Sequence, residues 1–344
     1  MKYGILLIAA GILQVGIIKA QNLIAVQSGG EPEFYTNINT AIDSASAGDT
    51  IYLPGGIFTI NNSIVKPIHI IGVGHNPDST NATYYTYLTG TSYPSGSINL
   101  SIEASGGSLT GVYIPGQLFL GNPNGCVNDY SIWRCNIGSL ESSVPYSWGC
   151  APSNVSIYEC ITGIYLPGGS DFIICNSIIS LCIGNNNTIK NNIIFGALNA
   201  QSASLNNSIF ENNIFLGVPF VCYYSNTFYN NLFNNNLFVE DLTFPFQGTN
   251  NLGIYNIVNQ PLASIFINYA GNGFNYDDSY HLQPSCPGIN AGSDGTDIGI
   301  YGGMFPWKEG SLPPNPHIQY KQIQQSTDQN GNLNVNIKVA AQDH

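Results

Sequence analysis

A short phrase that recurs every 15 to 25 residues between positions 131 and 238 constrains this chain more than any other feature. Each copy places Cys or Asn near a hydrophobic residue, as in Glu159-Cys160-Ile161. Aligned on their second residue, the copies form the column Cys135, Cys160, Cys175, Asn191, Asn212 and Asn230. Repeats of this length indicate a solenoid, because one coil cannot bury its apolar face alone and stacked coils can.

The phrases are rich in Ile, Phe and Tyr, which favours a β-solenoid over helical repeats. Coils of a β-solenoid stack about 4.8 Å apart, so equivalent residues lie directly above one another. We therefore predict that the column is an inward structural ladder, in which each Asn amide donates to one neighbour and accepts from the next. Cys is small and apolar enough to occupy the same position. The alternative is that Asn doublets only reflect a composition rich in Asn.

Charged residues make up only 8% of the 344 residues, and the formal net charge is −12. Such a surface does not attract phosphate backbones, so we expect no nucleic-acid partner. It also repels acidic polysaccharides unless a bound cation bridges the charges.

Residues 1–20 have the pattern of a secretory signal peptide. Lys2 precedes the apolar run Ile5 to Ile18, and Ala20 is a plausible cleavage point. A membrane anchor is the alternative, but the run is short for a spanning helix. We expect a protein that is secreted, extracellular or on the outer cell surface, with no membrane span after signal removal.

The first segment after the signal predicts a capped solenoid end. Ile38, Ala41, Ile42 and Ala45 have the spacing of a short amphipathic helix, and the strand Ile51-Tyr52-Leu53 follows a turn. A helix laid across the first coil would cover its unpaired edge and open core.

Residues 41–60 (AIDSASAGDTIYLPGGIFTI) and 66–74 (KPIHIIGVG) resemble the opening of pectin-lyase-like right-handed parallel β-helix proteins. Residues 274–308 resemble the closing segment of a mostly uncharacterised group of secreted β-helix proteins from Gram-negative bacteria. The matching phrases are Tyr280-His281-Leu282, Ile289-Asn290-Ala291-Gly292 and Asp297-Ile298-Gly299-Ile300-Tyr301-Gly302-Gly303. The resemblance implies an all-β, right-handed parallel β-helix over residues 21–308. It implies no activity, because this fold hosts lyases, hydrolases and adhesins.

Residues 309–344 form a separate unit by composition. Pro313, Pro314 and Pro316 make a stiff linker, and strictly alternating apolar residues follow a turn at Asn330-Gly331. This pattern predicts a C-terminal β-hairpin. A lone hairpin is marginal in water, so it should pack on the β-helix or contact a partner.

The best polar constellation for catalysis is Arg134, Glu159 and Asp171. A polysaccharide lyase needs a cation and a base, often with Ca²⁺, whereas a glycoside hydrolase needs paired carboxylates. The aligned phrases place Arg134 in an outward column with Glu159, Lys190 and Glu211. The simpler interpretation, which we favour, is a set of cross-coil ion pairs, Arg134 with Glu159 and Lys190 with Glu211.

Asp294 and Asp297 could hold Ca²⁺, although Asp-Gly is also a plain turn signal. We therefore expect no obligatory cofactor, with Ca²⁺ as the open alternative. None of the eight cysteines has CxxC spacing, which argues against zinc. Cys126 and Cys150 flank a long loop and could form a disulfide.

Aromatic side chains near loops are the remaining candidates. Tyr146, Trp148, Tyr223 and Tyr224 could stack on sugar rings, whereas Trp133 is expected inside the core because it lies two residues before Cys135. We predict a carbohydrate-binding or adhesive scaffold whose partner is an extracellular polysaccharide or cell-surface glycan. The alternative is a polysaccharide lyase or glycoside hydrolase that acts in a groove along the β-helix.

Overall fold

A computed structural model describes residues 23–80, 83–122, 124–142, 151–195, 198–199, 205–217, 220–221, 228–241, 248–271 and 273–342. The signal peptide predicted at residues 1–20 lies outside these ranges and stays a prediction. Within them, no helix has both the length and the apolar character needed to cross a membrane.

The chain folds as a right-handed parallel β-helix with one short helix near its start. The elements of the first coils are β1 (Ile24–Gln27), β2 (Glu33–Tyr35), α1 (Ile38–Ser44), β3 (Thr50–Tyr52), β4 (Gly56–Ile60), β5 (His69–Ile71), β6 (Thr86–Gly90), β7 (Ile98–Leu100), β8 (Ser108–Thr110), β9 (Tyr113–Asn122) and β10 (Gly125–Cys126). Three-residue 3₁₀ helices lie at Ile102–Ala104, Leu262–Ser264 and Glu309–Ser311.

The repeated region contributes strands of two to six residues. They are β11 (Ser131–Trp133), β12 (Asn136–Glu141), β13 (Ser156–Tyr158), β14 (Ile161–Leu166), β15 (Ile173–Cys175), β16 (Ile178–Ile183), β17 (Thr188–Lys190), β18 (Ile193–Ile194), β19 (Leu198–Asn199), β20 (Leu205–Asn206), β21 (Ile209–Glu211), β22 (Ile214–Phe215), β23 (Phe220–Val221), β24 (Phe228–Tyr229), β25 (Leu232–Asn234), β26 (Leu237–Phe238) and β27 (Leu252–Ile254). The last strands are β28 (Phe266–Asn268), β29 (Ser279–Leu282), β30 (His317–Ile323) and β31 (Val335–Ala340).

Two long sheets form the walls of the solenoid. The first has twelve strands in the order β2-β1-β3-β5-β8-β11-β13-β15-β17-β21-β25-β27, and only the β1–β2 and β1–β3 pairings are antiparallel. The second has eleven strands, and its main path runs β26-β22-β18-β16-β14-β12-β9-β6-β4. The side chains between the sheets form one continuous apolar core from Ile24 to Phe238.

The predicted capping helix is present as α1. Its N-cap Asn37 accepts hydrogen bonds from the backbone of Asn39 and Thr40 at 2.8 and 3.3 Å, which satisfies donors that the first turn leaves unpaired. Ile38, Ala41 and Ile42 are buried, as their spacing predicted.

An inward ladder exists, but most of its members differ from the predicted column. The register of the second sheet aligns six residues that each directly precede one of its strands. They are Cys135, Cys160, Ser177, Asn192, Asn213 and Asn236. In this inner ladder the backbone N–H of Asn192 donates to Asn213 Oδ1 at 2.9 Å, and that of Asn213 donates to Asn236 Oδ1 at 2.9 Å. Buried amides therefore satisfy one another from coil to coil.

Four residues of the predicted column lie elsewhere. Cys175 ends β15, where it pairs with Tyr158 and not with Cys160. Asn191 and Asn212 precede the inner ladder by one position, and Asn230 belongs to the opposite corner of the coil. The reason is that Asn191-Asn192 and Asn212-Asn213 are doublets, so residue type cannot show which Asn is inward; only the register of the strands does.

A corner column with left-handed backbone lies beside the inner ladder. Its φ values run from 49 to 57°, a region where Asn is the favoured non-glycine residue. The members are Arg134, Glu159, Asn176, Asn191, Asn212 and Asn235. A left-handed residue turns the chain, so the two-residue alternation of a strand does not continue across this corner.

Residues 265–307 do not add coils. They lie along the side of the β-helix, with β28 and β29 as an antiparallel pair, and they cover an outward apolar column of the second sheet. The covered residues are Ile161, Ile178, Ile193, Ile214 and Leu237. Burying this column gives the segment a strong hydrophobic reason to fold back.

This segment and the residues up to Leu312 also form hydrogen bonds with the corner column, in reverse chain order. The contacts are Asn235 Nδ2 to Ala291 O (2.9 Å), Ser293 N to Asn212 Oδ1 (2.9 Å), Asn191 Nδ2 to Gly299 O (3.4 Å), Asn176 Nδ2 to Ile300 O (2.9 Å) and to Gly302 O (2.7 Å), Lys308 N to Glu159 Oε2 (3.2 Å), and Arg134 Nη1 to Leu312 O (2.8 Å). One stretch of chain therefore joins six successive coils of the β-helix.

The predicted C-terminal hairpin is present as the antiparallel pair β30–β31. Its turn is closed by Asp328, whose side chain accepts from the backbone of Asn330 and Asn332 at 2.9 and 2.8 Å. Almost every residue of the hairpin is exposed, including those of its apolar face.

Candidate functional site

A groove of about 540 Å³ runs over the outer face of the first sheet, and we call it the outer groove. Its floor comes from strands β5, β8 and β11, and the linker after residue 312 forms one wall. The lining residues are His69, Ile71, Gly106, Gly107, Ser108, Thr110, Asp129, Ser131, Trp133, Arg134, Pro314 and Asn315. The strands place these side chains outward because Ile70, Leu109 and Ile132 between them point into the core.

A line of small polar side chains crosses the floor of the outer groove. The register stacks His69 beside Ser108 and Ser108 beside Ser131. The ring Nδ1 of His69 lies 2.8 Å from Ser108 Oγ, at hydrogen-bond distance. Hydroxyl and imidazole groups both donate and accept, so this line suits a ligand rich in hydroxyl groups.

Trp133 lies at the edge of the outer groove and not in the core, which corrects the sequence prediction. Its ring stacks on Tyr158 at 4.1 Å between centroids, and Phe305 meets it edge-on at 5.8 Å. The prediction failed because the left-handed residue Arg134 separates Trp133 from Cys135, so the two side chains do not share a face. An aromatic ring beside polar groups is a common arrangement in sugar sites.

The wall of the outer groove is held by a buried ion pair. Arg134 Nε lies 3.0 Å from Glu159 Oε2, and each side chain is only 1% exposed. Arg134 Nη1 also donates to Leu312 O at 2.8 Å and to Gln342 O at 3.4 Å. The pair therefore anchors both ends of the C-terminal unit, the linker before the hairpin and the residue after it.

Burial raises the pKa of Glu159 above its usual value, although hydrogen bonds from Arg134 and Lys308 act in the opposite direction. The Lys190–Glu211 pair differs, because Lys190 is 41% exposed while its Nζ lies 2.5 Å from Glu211 Oε2. Both cross-coil pairs of the simpler interpretation are thus present, but the first is buried and not exposed.

The three catalytic candidates, Arg134, Glu159 and Asp171, do not lie together in one site. Arg134 and Glu159 lie at one end of the short strands of the first sheet, whereas Asp171 lies at the other end, in the corner that precedes β15. Asp171 is exposed and accepts a hydrogen bond from Ser170 Oγ at 2.7 Å. Arg134 cannot contact a substrate carboxylate while the linker covers it.

The metal candidates Asp294 and Asp297 accept hydrogen bonds from residues of their own loop. Asp294 Oδ1 accepts from Thr296 N at 3.0 Å and from Thr296 Oγ1 at 2.7 Å, and Asp297 Oδ1 accepts from Asn290 N at 2.8 Å. Burial acts to raise the pKa of Asp294, but the hydrogen bonds from Thr296 outweigh it and hold the pKa below its usual value. Across the described ranges, no group of three or more His, Cys, Asp or Glu side chains is arranged to hold a metal ion.

The four aromatic candidates Tyr146, Trp148, Tyr223 and Tyr224 lie outside the described residues, so their role in binding stays a prediction. Cys126 is disulfide-bonded, and Cys150, the partner suggested by the sequence, also lies outside the described residues.

Four polar residues of the outer groove were not predicted from the sequence: His69, Ser108, Asp129 and Ser131. An alignment based on the inward residues Ile70, Leu109 and Ile132 would have found three of them, since His69, Ser108 and Ser131 each precede one of these residues. Asp129 lies in the corner before β11, and this alignment does not reveal it.

Comparison of the chain with protein-family models, with curated proteins and with solved structures finds no match.

Proposed function

We propose that this chain is a secreted or cell-surface β-helix protein that binds a neutral carbohydrate in the outer groove and serves as an adhesive scaffold. The observation that carries the proposal is the position of Trp133 beside the line of His69, Ser108 and Ser131. Sugars present both apolar faces and hydroxyl groups, and this groove offers a partner for each.

The charge of the groove favours a neutral ligand. Asp129 is its one carboxylate, and the charge of Arg134 is already paired with Glu159. A uronate-rich chain would meet a repulsive carboxylate and an overall charge of −12.

The resemblance of residues 41–74 and 274–308 to pectin-lyase-like proteins supports placing the chain in that group, and the signal-like residues 1–20 support export. These assignments are part of the proposal. The lyase alternative has less support, because its only arginine, Arg134, is buried beneath the linker.

The test is a binding screen of the chain from Gln21 to His344 against soluble neutral glucans, mannans and galactans beside uronate-containing polymers, with and without Ca²⁺. Trp133→Ala should weaken binding of the best neutral ligand by about tenfold, since ring stacking contributes about 0.5–1.5 kcal/mol and tenfold corresponds to about 1.4 kcal/mol. Titration calorimetry measures the affinity.

Tyr165→Ala is the matched control, because Tyr165 is an exposed ring on the second sheet, away from the outer groove. Trp133→Phe keeps the stack on Tyr158 and should retain most of the binding. Equal affinity of Trp133→Ala and the unchanged chain would refute binding in this groove. Cleavage of any polymer would replace the scaffold proposal with an enzymatic one.

A further inference from the structure

The first sheet ends in β27, a short edge strand that carries neither a charged residue nor a proline. Among the described residues, β27 pairs with β25 on one side and with no strand on the other. All three residues of β27 are exposed, including Gly253, whose surface is almost all backbone. Residues 248–260 contain no charged residue and no proline, two of the features that keep edge strands from pairing with other chains.

The C-terminal hairpin exposes apolar side chains on one face. Pairing of β30 with β31 brings Ile318, Ile323, Val335, Ile337 and Val339 to one face, and 37 to 58% of each side chain is exposed. Lys321 pairs with Ile337 and lies among them. A two-stranded ribbon is marginally stable in water, and a third strand or a packed face is what stabilises it. The hairpin therefore has both an apolar face and strand edges to offer.

The strands of the hairpin are basic, and the stretch of chain that precedes the open edge is acidic. The strands β30 and β31 carry Lys321 and Lys338 and no acidic residue, whereas the last coil of the β-helix carries Glu240 and Asp241. Residues 231–271 contain no Lys or Arg at all. Such complementarity favours one orientation of contact and speeds encounter.

The hairpin of the same chain cannot reach this edge as a paired strand. Arg134 anchors both Leu312 and Gln342, so the base of the hairpin lies beside β11. Six strand steps separate β11 from β27, about 29 Å at ordinary strand spacing. The seven residues of β30 span about 24 Å even when extended, and pairing would need them to lie across the solenoid axis and not along it.

We propose that the hairpin of one copy adds to the open edge β27 of a second copy and so joins copies of this chain head to tail. Strand addition supplies backbone hydrogen bonds to β27, and the apolar face of the hairpin gains a packing partner. The contact uses two different surfaces, so it is not self-complementary, and each added copy presents a new edge to the next. This inference is independent of the proposed carbohydrate binding.

Sedimentation velocity on the chain from Gln21 to His344, from low to high micromolar concentration, tests the proposal. The unchanged chain should form species that grow beyond dimers with concentration. The edge variant Leu252→Lys/Ile254→Lys should remain monomeric, and so should the face variant Val335→Thr/Ile337→Thr/Val339→Thr, in which β-branched residues preserve strand propensity. Circular dichroism checks that both variants keep the β-helix.

A mixture of the two variants gives the sharpest result. The edge variant retains a working hairpin and the face variant retains a working edge, so the mixture should form one-to-one dimers and nothing larger. Phe34→Lys, on the exposed opposite edge strand β2, is the matched control and should associate like the unchanged chain. A monomeric unchanged chain, a mixture that stays monomeric, or loss of association with Phe34→Lys would each overturn the proposal.

Discussion

At the scale of single residues, the side chains of the corner column attach the C-terminal part of the chain to the β-helix. Arg134 and Glu159 occupy left-handed positions where the next four coils use Asn. Their side chains contact Leu312 and Lys308, as the Asn amides contact residues 291–302. At the two coils that contact Lys308 and Leu312, a charged pair takes the place of the neutral amides.

Arg134→Met should lower the free energy of unfolding by about 3–5 kcal/mol near pH 8, because it leaves the Glu159 carboxylate buried without its cation. Since burial already raises the pKa of Glu159, its folded form binds a proton more readily than its unfolded form. The loss in the variant should therefore shrink as the pH falls toward the ordinary carboxyl range. Urea unfolding at several pH values measures both effects.

The double variant Arg134→Met/Glu159→Leu should recover much of that stability, since no charge is left buried. Lys190→Met is the matched control on the exposed pair and should cost less than about 1 kcal/mol. A loss for Arg134→Met as small as that for Lys190→Met would contradict the account of a buried pair.

At the scale of elements, the segment from residue 291 to residue 312 is attached by side chains of the corner column and by the apolar contacts beneath it. Asn176 makes two of these hydrogen bonds, to Ile300 O and Gly302 O, and is 2% exposed. The segment should therefore open locally when this single amide is removed.

Asn176→Gly keeps the left-handed backbone but removes both hydrogen bonds, so amide exchange in residues 298–303 should accelerate roughly 10- to 100-fold. Hydrogen–deuterium exchange read by mass spectrometry measures it. Asn186→Gly, an exposed left-handed Asn at the opposite corner, should leave the same peptide unchanged. Exchange that is equal in the two variants would mean that apolar packing alone holds the segment.

At the scale of the whole molecule, the segment changes how the solenoid should unfold. Stacked coils contact only their neighbours, so a bare solenoid can unfold piecewise. Here one stretch of chain bonds to coils from Arg134 to Asn235 and links them directly.

The triple variant Asn176→Gly/Asn191→Gly/Asn212→Gly should lose this linkage. Trp fluorescence reports on Trp133 beside the segment and Trp307 within it, as well as on Trp148. We expect it to change at lower urea than far-UV circular dichroism. In the unchanged chain the two transitions should coincide. The exposed triple Asn186→Gly/Asn207→Gly/Asn230→Gly provides the control, and separate transitions there as well would show that the effect comes from the glycines themselves.

The sequence by itself determined the solenoid, the capping helix and the hairpin, because each depends on a regular spacing along the chain. The period of the phrases specified stacked coils, the spacing of Ile38, Ala41 and Ile42 specified α1, and the alternation after Asn330-Gly331 specified β31.

Only the tertiary structure decided which Asn of each doublet faces inward, that Trp133 faces outward, and that Arg134 is buried. The first two depend on the register between coils and on the left-handed corner, which residue type does not encode. The third depends on Leu312, which reaches Arg134 from 178 residues along the chain. The outer groove likewise exists only because the linker crosses the sheet there, and no local pattern shows where a distant segment packs.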